Sequence, residues 1–152
     1  MGKHLHSDSL LDALVLFTNR YHRPISFETI TAGLPIDPKT STPELLRHTQ
    51  STSTFSRAAK RAGFKTTLIE RPLSSISELH LPVILILSDA NSCILEAFSD
   101  DRMKAKVVYP EGKGLEEWVE IEHLDMVYLG YAFLLKKELD SADEVVTKQF
   151  SY

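Results

Sequence analysis

A thiol or hydroxyl attacks a carbonyl efficiently only when a neighbouring group takes its proton, so a working nucleophile needs a base beside it. The chain offers one cysteine, Cys93, and the histidines His4, His6, His22, His48, His80 and His123. Cys93 opens the apolar string Cys93-Ile94-Leu95, and a free cysteine on such a strand usually serves as a small core hydrophobe. His4 and His6 fall in an unpatterned N-terminus and read as solvated. His22, His48 and His123 fall at helix ends or on polar faces, where the C-terminal end of a helix dipole mildly favours a positive charge. His80 precedes a proline-containing strand entry. A hydrolase built from Ser9 or Asp12 with His22 is the weakest of the readings. No histidine pairs with a carboxylate at metal-ligand spacing on a helix, so no zinc or iron site is expected. Gly112-Lys113-Gly114 has the composition of a phosphate loop without its G-x-x-x-x-G-K-[ST] spacing, and reads as a surface turn.

Composition narrows the classes further. The chain has 152 residues, 43% of them hydrophobic and 25% charged, which suits one soluble domain with its own core. Its net charge is −4, and the basic residues are spread out, the densest run being Lys60-Arg61, so nucleic-acid binding is not expected. One cysteine cannot form an intramolecular disulfide, which fits a reducing compartment. The longest apolar run, Leu81 to Leu87, falls short of the roughly 20 residues that span a bilayer. The first six residues lack the apolar stretch of a signal peptide.

The elements that must position any site follow from hydrophobic spacing. Leu10, Leu14, Phe17 and Tyr21 mark one face of a first helix, capped by Ser9 with Asp12 at its third position, and ending near His22 before Pro24. Ser26 caps a short helix that stops at Gly33. Thr42-Pro43-Glu44 opens a third helix, a Ser/Thr-rich stretch from Thr49 to Thr54 breaks it, and Phe55, Ala58, Ala59 and Ala62 define a fourth that closes at Gly63. The period then changes to that of strands: Lys65 to Arg71, Val83 to Leu87, Ser92 to Phe98, Lys104 to Tyr109 and Tyr131 to Lys136. Short polar connections at Asp89-Ala90-Asn91 and Ser99-Asp100-Asp101 suit hairpins. Helical insertions are expected at Ser74 to Leu79 and Glu120 to Met126. Helices followed by strands, without β-α-β alternation, predict an α+β domain with helices packed on one side of an antiparallel sheet. Residues 1–7 read as a disordered N-terminus, 8–138 as the domain, and 139–152 as a linker.

Four strings, in this order and spacing, carry a resemblance. They are Asp8-Ser-Leu-Leu-Asp-Ala-Leu leading into Arg20-Tyr-His-Arg-Pro-Ile-Ser, then Arg57-Ala-Ala-Lys-Arg-Ala-Gly-Phe, Leu81-Pro-Val-Ile-Leu-Ile-Leu, and Tyr128-Leu-Gly-Tyr-Ala-Phe-Leu-Leu. Over residues 8–138 the chain resembles the N-terminal peptidase domains of bacteriocin-processing ABC exporters. It resembles still more their peptidase-like relatives in type I exporters of RTX toxins and large adhesins. The resemblance implies a papain-like cysteine peptidase fold.

It also implies where a catalytic triad would stand. The family's cysteine position falls within Ser9 to Asp12, with Asp12 preferred from the Ala-Leu register. The histidine position falls at Ser92, and the aspartate position at Tyr109 before Pro110. Asp12, Ser92 and Tyr109 are thus degenerate triad positions, and the resemblance implies a domain without peptidase activity or a cofactor of its own, ATP serving the parent exporter. The implied partners are an unfolded RTX-type secreted protein, the exporter's remaining domains and a membrane fusion protein, on the cytoplasmic side of the bacterial inner membrane. The alternative is a structural or regulatory domain that packs on the exporter's nucleotide-binding or membrane domains.

Overall fold

The computed structural model describes residues 9–33, 54–89, 91–112 and 114–138. The expected N-terminal tail 1–7, the helix opened by Thr42, the Ser/Thr-rich break as far as residue 53 and the linker 139–152 lie outside the described residues.

Helix α1 spans Ser9–Tyr21 and buries Leu10, Leu11, Ala13, Leu14 and Phe17 along one face, as the spacing predicts. Asp12 sits in its first turn, where a carboxylate answers the positive end of the dipole. Helix α2, Phe27–Thr31, is capped by Ser26, whose hydroxyl accepts from the Thr29 N–H at 3.1 Å. Helix α3, Thr54–Arg61, carries the buried Phe55, Ala58 and Ala59, with Ala62 just beyond it. Its alanines leave room for close approach, and Phe55 stacks on Phe133 with ring centroids 4.2 Å apart. Gly63 then takes φ +94°, a left-handed turn that suits glycine.

Six strands form one antiparallel sheet: β1 Phe64–Glu70, β2 Val83–Leu87, β3 Asn91–Phe98, β4 Lys104–Val108, β5 Glu116–Glu120 and β6 Tyr128–Lys137. Their order is β1-β6-β2-β3-β4-β5, so β2 to β5 form a meander and the last strand returns to lie between β1 and β2. Both expected hairpins are present, joining β2 to β3 and β3 to β4. In the second, Arg102 takes φ +59°. Its guanidinium lies 3.8 Å from the Phe98 ring centre and donates to the Ile76 carbonyl at 3.0 Å, contacts that offset the left-handed backbone.

Three expectations need correction. Ser74 to Leu79 is not a helix but two 3-10 turns, Leu73–Ser75 and Glu78–His80. Only Leu73 and Ile76 of this segment bury apolar side chains, too few for a helical stripe. The last strand begins at Tyr128 rather than Tyr131, because it follows directly on α4, Ile121–Val127. Strand β5 was not anticipated at all. Its sequence Glu-Glu-Trp-Val-Glu is poor in strand-forming residues, and pairing with β4 supplies what propensity does not.

Alternation along the strands divides the core in two. Ile84, Ile86, Ile94, Val108 and Phe133 face α1, α2 and α3. Val83, Leu85, Leu87, Cys93, Leu95, Ala105 and Val107 face the other way, under Leu73, Ile76 and Leu124. The three N-terminal helices therefore share one side, as expected, while α4 and the 3-10 turns cover the opposite side. Strand β2 is buried at all five positions, which explains why it reads as a continuous apolar run. No helix among the described residues is long and apolar enough to cross a membrane.

Phe17 is 3% exposed and its ring meets those of Tyr21 at 4.9 Å and Phe64 at 5.4 Å. Phe17→Ala is expected to cost about 3–5 kcal/mol. Urea unfolding measures it, and a loss no greater than that of an exposed substitution such as Glu122→Ala would detach α1 from the core.

Candidate functional site

Helix α1 lies along β3, and the side chains that meet there are Ser9 and Ser92 at one end and Arg20 and Glu96 at the other. Ser92 is 1% exposed. Its hydroxyl donates to the Ser9 carbonyl at 2.9 Å and lies 2.9 Å from the Ser9 hydroxyl. Because the Ser92 proton is committed to that carbonyl, the Ser9 hydroxyl is the donor to Ser92 Oγ. The Ser9 side chain, expected to cap its own helix, is thus turned toward the sheet.

Of the three positions that the resemblance singles out, the structure brings Ser92 into this contact, and within the window Ser9 to Asp12 it is Ser9 that meets it. Asp12 is half-buried in the first turn of α1. Tyr109 stands elsewhere: it continues the alternation of Ala105 and Val107 and packs against the far core cluster. Burial, with the neighbouring Cys93 thiol, Glu117 and Glu111, pushes its phenol up to about 12. Tyr109 is therefore a neutral packing group on the side of the sheet away from Ser9.

Cys93 follows Ser92 directly, so the strand turns its thiol to the opposite face. It is free and wholly buried, and desolvation raises its pKa far above the usual thiol range, which leaves it an unreactive thiol. His80 and His123 are exposed, on a 3-10 turn and on α4. His22 lies beyond the other end of α1, its ring 5.3 Å from that of Phe64. His4 and His6 lie outside the described residues, as do His48 and Lys113 of the glycine-lysine turn. Gly112 ends a 3-10 turn, Pro110–Gly112. No group of His, Cys, Asp or Glu able to hold a metal occurs among the described residues.

Sequence reasoning missed the polar network at the far end of α1. Arg20 donates to Glu96 at 2.7 Å, to Glu116 at 3.0 Å and to the Gly114 carbonyl at 3.1 Å. Tyr21 also donates to Glu96, and Lys106 stands 3.7 Å from Glu116 and 3.9 Å from Glu96. Burial and the Glu96 bond push the Tyr21 phenol up to about 12, so it remains a donor at any physiological pH. The Glu96 side chain is 6% exposed, and two cations beside it answer a charge that would otherwise be costly to bury. Only the arginine in the last turn of α1 hints at this in the sequence. Its partners lie more than seventy residues away, beyond the reach of local periodicity.

The contact of Ser9 with Ser92 can be read out chemically. With Ser9→Cys and Ser92→His together, the new thiol is expected to meet an imidazole and its pKa to fall at least one unit below the free value of about 8.5. With Asp12→Cys and Ser92→His, it should remain near that value. The pH dependence of alkylation rate measures both while Cys93 stays protected, and equal values in the two folded variants would remove Ser9 as the partner of position 92.

No family model and no curated protein matches the chain. Solved structures do. The chain matches the peptidase domain of Streptococcus ComA, a bifunctional ABC transporter of a quorum-sensing pathway, at 14% identity and TM-score 0.63, over 86% of this chain and 92% of that one. It also matches a double-glycine motif protease from an AMS/PCAT transporter, solved with its leader peptide, at 15% identity and TM-score 0.59, over 86% and 84%. These two establish the fold alone. The N-terminal peptidase C39-like domain of the toxin secretion ATP-binding protein from Vibrio parahaemolyticus is 32% identical, with TM-score 0.74, over 87% of this chain and 98% of that one. With 32% identity over 87% of its length, the chain belongs to the peptidase C39-like N-terminal domains of toxin-secretion ABC transporters.

Proposed function

We propose that this domain binds a secreted protein for an ABC exporter and does not cut it. One observation carries the reading: the chain's single thiol, Cys93, is wholly buried and points away from the face of β3 that meets α1. Papain-like chemistry needs a thiolate held by an imidazole that a carboxylate orients. At the start of α1 a hydroxyl meets a second hydroxyl, and neither takes a proton at neutral pH. No metal or cofactor is required for holding a peptide, and ATP would act elsewhere in the parent exporter.

The double-glycine protease of the same fold was solved with a leader peptide bound, which supports a scaffold suited to seating an extended chain. Here β1 and β5 are the edges of the sheet, and an edge offers backbone donors and acceptors to an added strand. The substrate class we propose is an unfolded RTX-type protein, recruited on the cytoplasmic side of the inner membrane, with a membrane fusion protein and the exporter's other domains as further partners. A second reading, a structural domain packed on the nucleotide-binding or membrane domains, is favoured by Met126, Val127 and Leu129, neighbours at the α4–β6 junction whose side chains are exposed.

Two results are expected. A double-glycine leader peptide should remain intact after prolonged incubation with the domain. A glycine-rich RTX fragment should bind at micromolar affinity without calcium and lose most of that affinity with it, because calcium folding satisfies internally the backbone groups an edge would pair. The modest affinity reflects the several kcal/mol, about 2–5, spent on ordering a disordered segment. Fluorescence anisotropy measures both states. Equal binding with and without calcium, or none, would favour the structural reading, and specific cleavage would overturn both.

A further inference from the structure

The C-terminal ends of α1 and α3 meet at a corner of the domain where β1 begins and β6 ends. A depression of about 290 Å³ opens there, lined by His22, Arg23, Pro24, Ile25, Arg61 and Gly63, among others. Both arginines are exposed. Lys137 joins them: it pairs across β6 with Phe64, and the Phe64 ring packs against His22. Among the described residues, every ion pair falls on Arg20 or Lys106. None involves Arg23, Arg61 or Lys137.

Two features show that this corner is positive and shaped. His22 is pushed toward its neutral form first by burial and then by the charges of Lys137 and Arg23, which stand close enough to act on it. Gly63 keeps the floor open, since a Cβ there would come within 3.0 Å of His22 Nε2. Basic residues near helix C-termini commonly serve the last carbonyls, and Arg61 does so, donating to the Ala32 carbonyl. Lys137 lies on a strand, so helix capping does not explain its place in the group. The acidic residue nearest in sequence, Glu138, follows Lys137 and uses its backbone N–H on the Gly63 carbonyl at 2.8 Å.

We propose that this depression binds a phosphate group, held by Arg23 and Arg61 with His22 and Lys137 in support. A guanidinium matches phosphate oxygens with two parallel N–H bonds, and a depression of about 290 Å³ has room for a single phosphate group. The group comes either from free phosphate or from the headgroup of an anionic phospholipid. The proposal stands apart from peptide binding, because it uses neither the Ser9–Ser92 contact nor backbone pairing along a strand: its side chains gather at the end of edge strand β1.

The test follows the His22 imidazole by NMR in the full 152-residue chain. Adding inorganic phosphate should raise the His22 pKa, since an anion beside it favours the imidazolium. Arg23→Gln should weaken the apparent affinity about tenfold, the loss of one charge-assisted hydrogen bond, and Lys137→Gln should weaken it less. Both positions are exposed, so the fold should persist, and unchanged melting temperatures check it. Flotation with phosphatidylglycerol vesicles against phosphatidylcholine vesicles separates the sources. Binding only to the former, competed by phosphate, identifies the headgroup, and a phosphate response without flotation identifies the free anion. No His22 response to phosphate together with no flotation overturns the proposal. So does a response that Arg23→Gln leaves unchanged, or a fall in melting temperature of this variant with no change in anion affinity, which would return Arg23 to a helix-supporting role.

Discussion

The attachment of α1 to β3 at both ends is the constraint on which the rest of the structure depends. Ser9 bonds Ser92 and Arg20 bonds Glu96, and Ser92, Ile94 and Glu96 are alternate residues on one face of the strand. Eleven residues of helix rise about 16 Å, and four residues of strand about 13 Å, so the two spans agree once the reach of an arginine is added. A helix fixed at two points cannot slide or roll. The intervening turns then deliver Ala13, Leu14 and Phe17 to the same side of the sheet as Ile94 and Phe133. The Arg20 end also ties in β5 through Glu116, an edge strand with little apolar anchorage of its own.

This arrangement gives a physical account of a peptidase-like scaffold that has kept its shape. The start of a helix set against a central strand can hold a thiol next to an imidazole, but the same proximity can serve structure alone. Two hydroxyls there, one of them buried, satisfy one another and a backbone carbonyl. Buried polar groups left without partners would cost about 1–3 kcal/mol each. Small side chains bonded in this way hold the helix to the sheet at no such cost. Cys93, one residue along, belongs to the other core and cannot be recruited without turning the strand over.

How much of this was legible from the sequence depended on whether the signal was local. The stripe of Leu10, Leu14 and Phe17, the alanines before Gly63 and the apolar run of β2 are read from spacing alone, and the fold class follows from their order. The acidic β5 was invisible because its strand character comes from pairing with β4, and residues 74–79 imitated a helix because turns and short helices share Ser and Glu. At the site, the resemblance alone pointed to Ser92, but which residue of the window from Ser9 to Asp12 meets it depends on how the helix is rotated over β3. That rotation is set by the Arg20–Glu96 bond, a long-range interaction. The face on which Tyr109 lies was readable in principle from its alternation with Ala105 and Val107.

Charge is the clearest case of a property that the linear chain conceals. A net charge of −4 with scattered basic residues suggests a uniformly mild surface. Folding instead sorts the charges: Glu117 and Glu120 stand on β5 at one edge of the sheet, beside a Glu116 that Arg20 and Lys106 answer, while Arg23, Arg61 and Lys137 gather where β1 meets β6 at the other. Five strand spacings separate β1 from β5, about 24 Å at about 4.8 Å each. The screening length at physiological ionic strength is about 8 Å, so neither patch appreciably neutralises the other. Each presents its own sign to whatever approaches, and the edge that carries the glutamates and the exposed Trp118 will reject anions that the opposite corner attracts. A single domain can thereby face two chemically different neighbours at once, one at each end of its sheet.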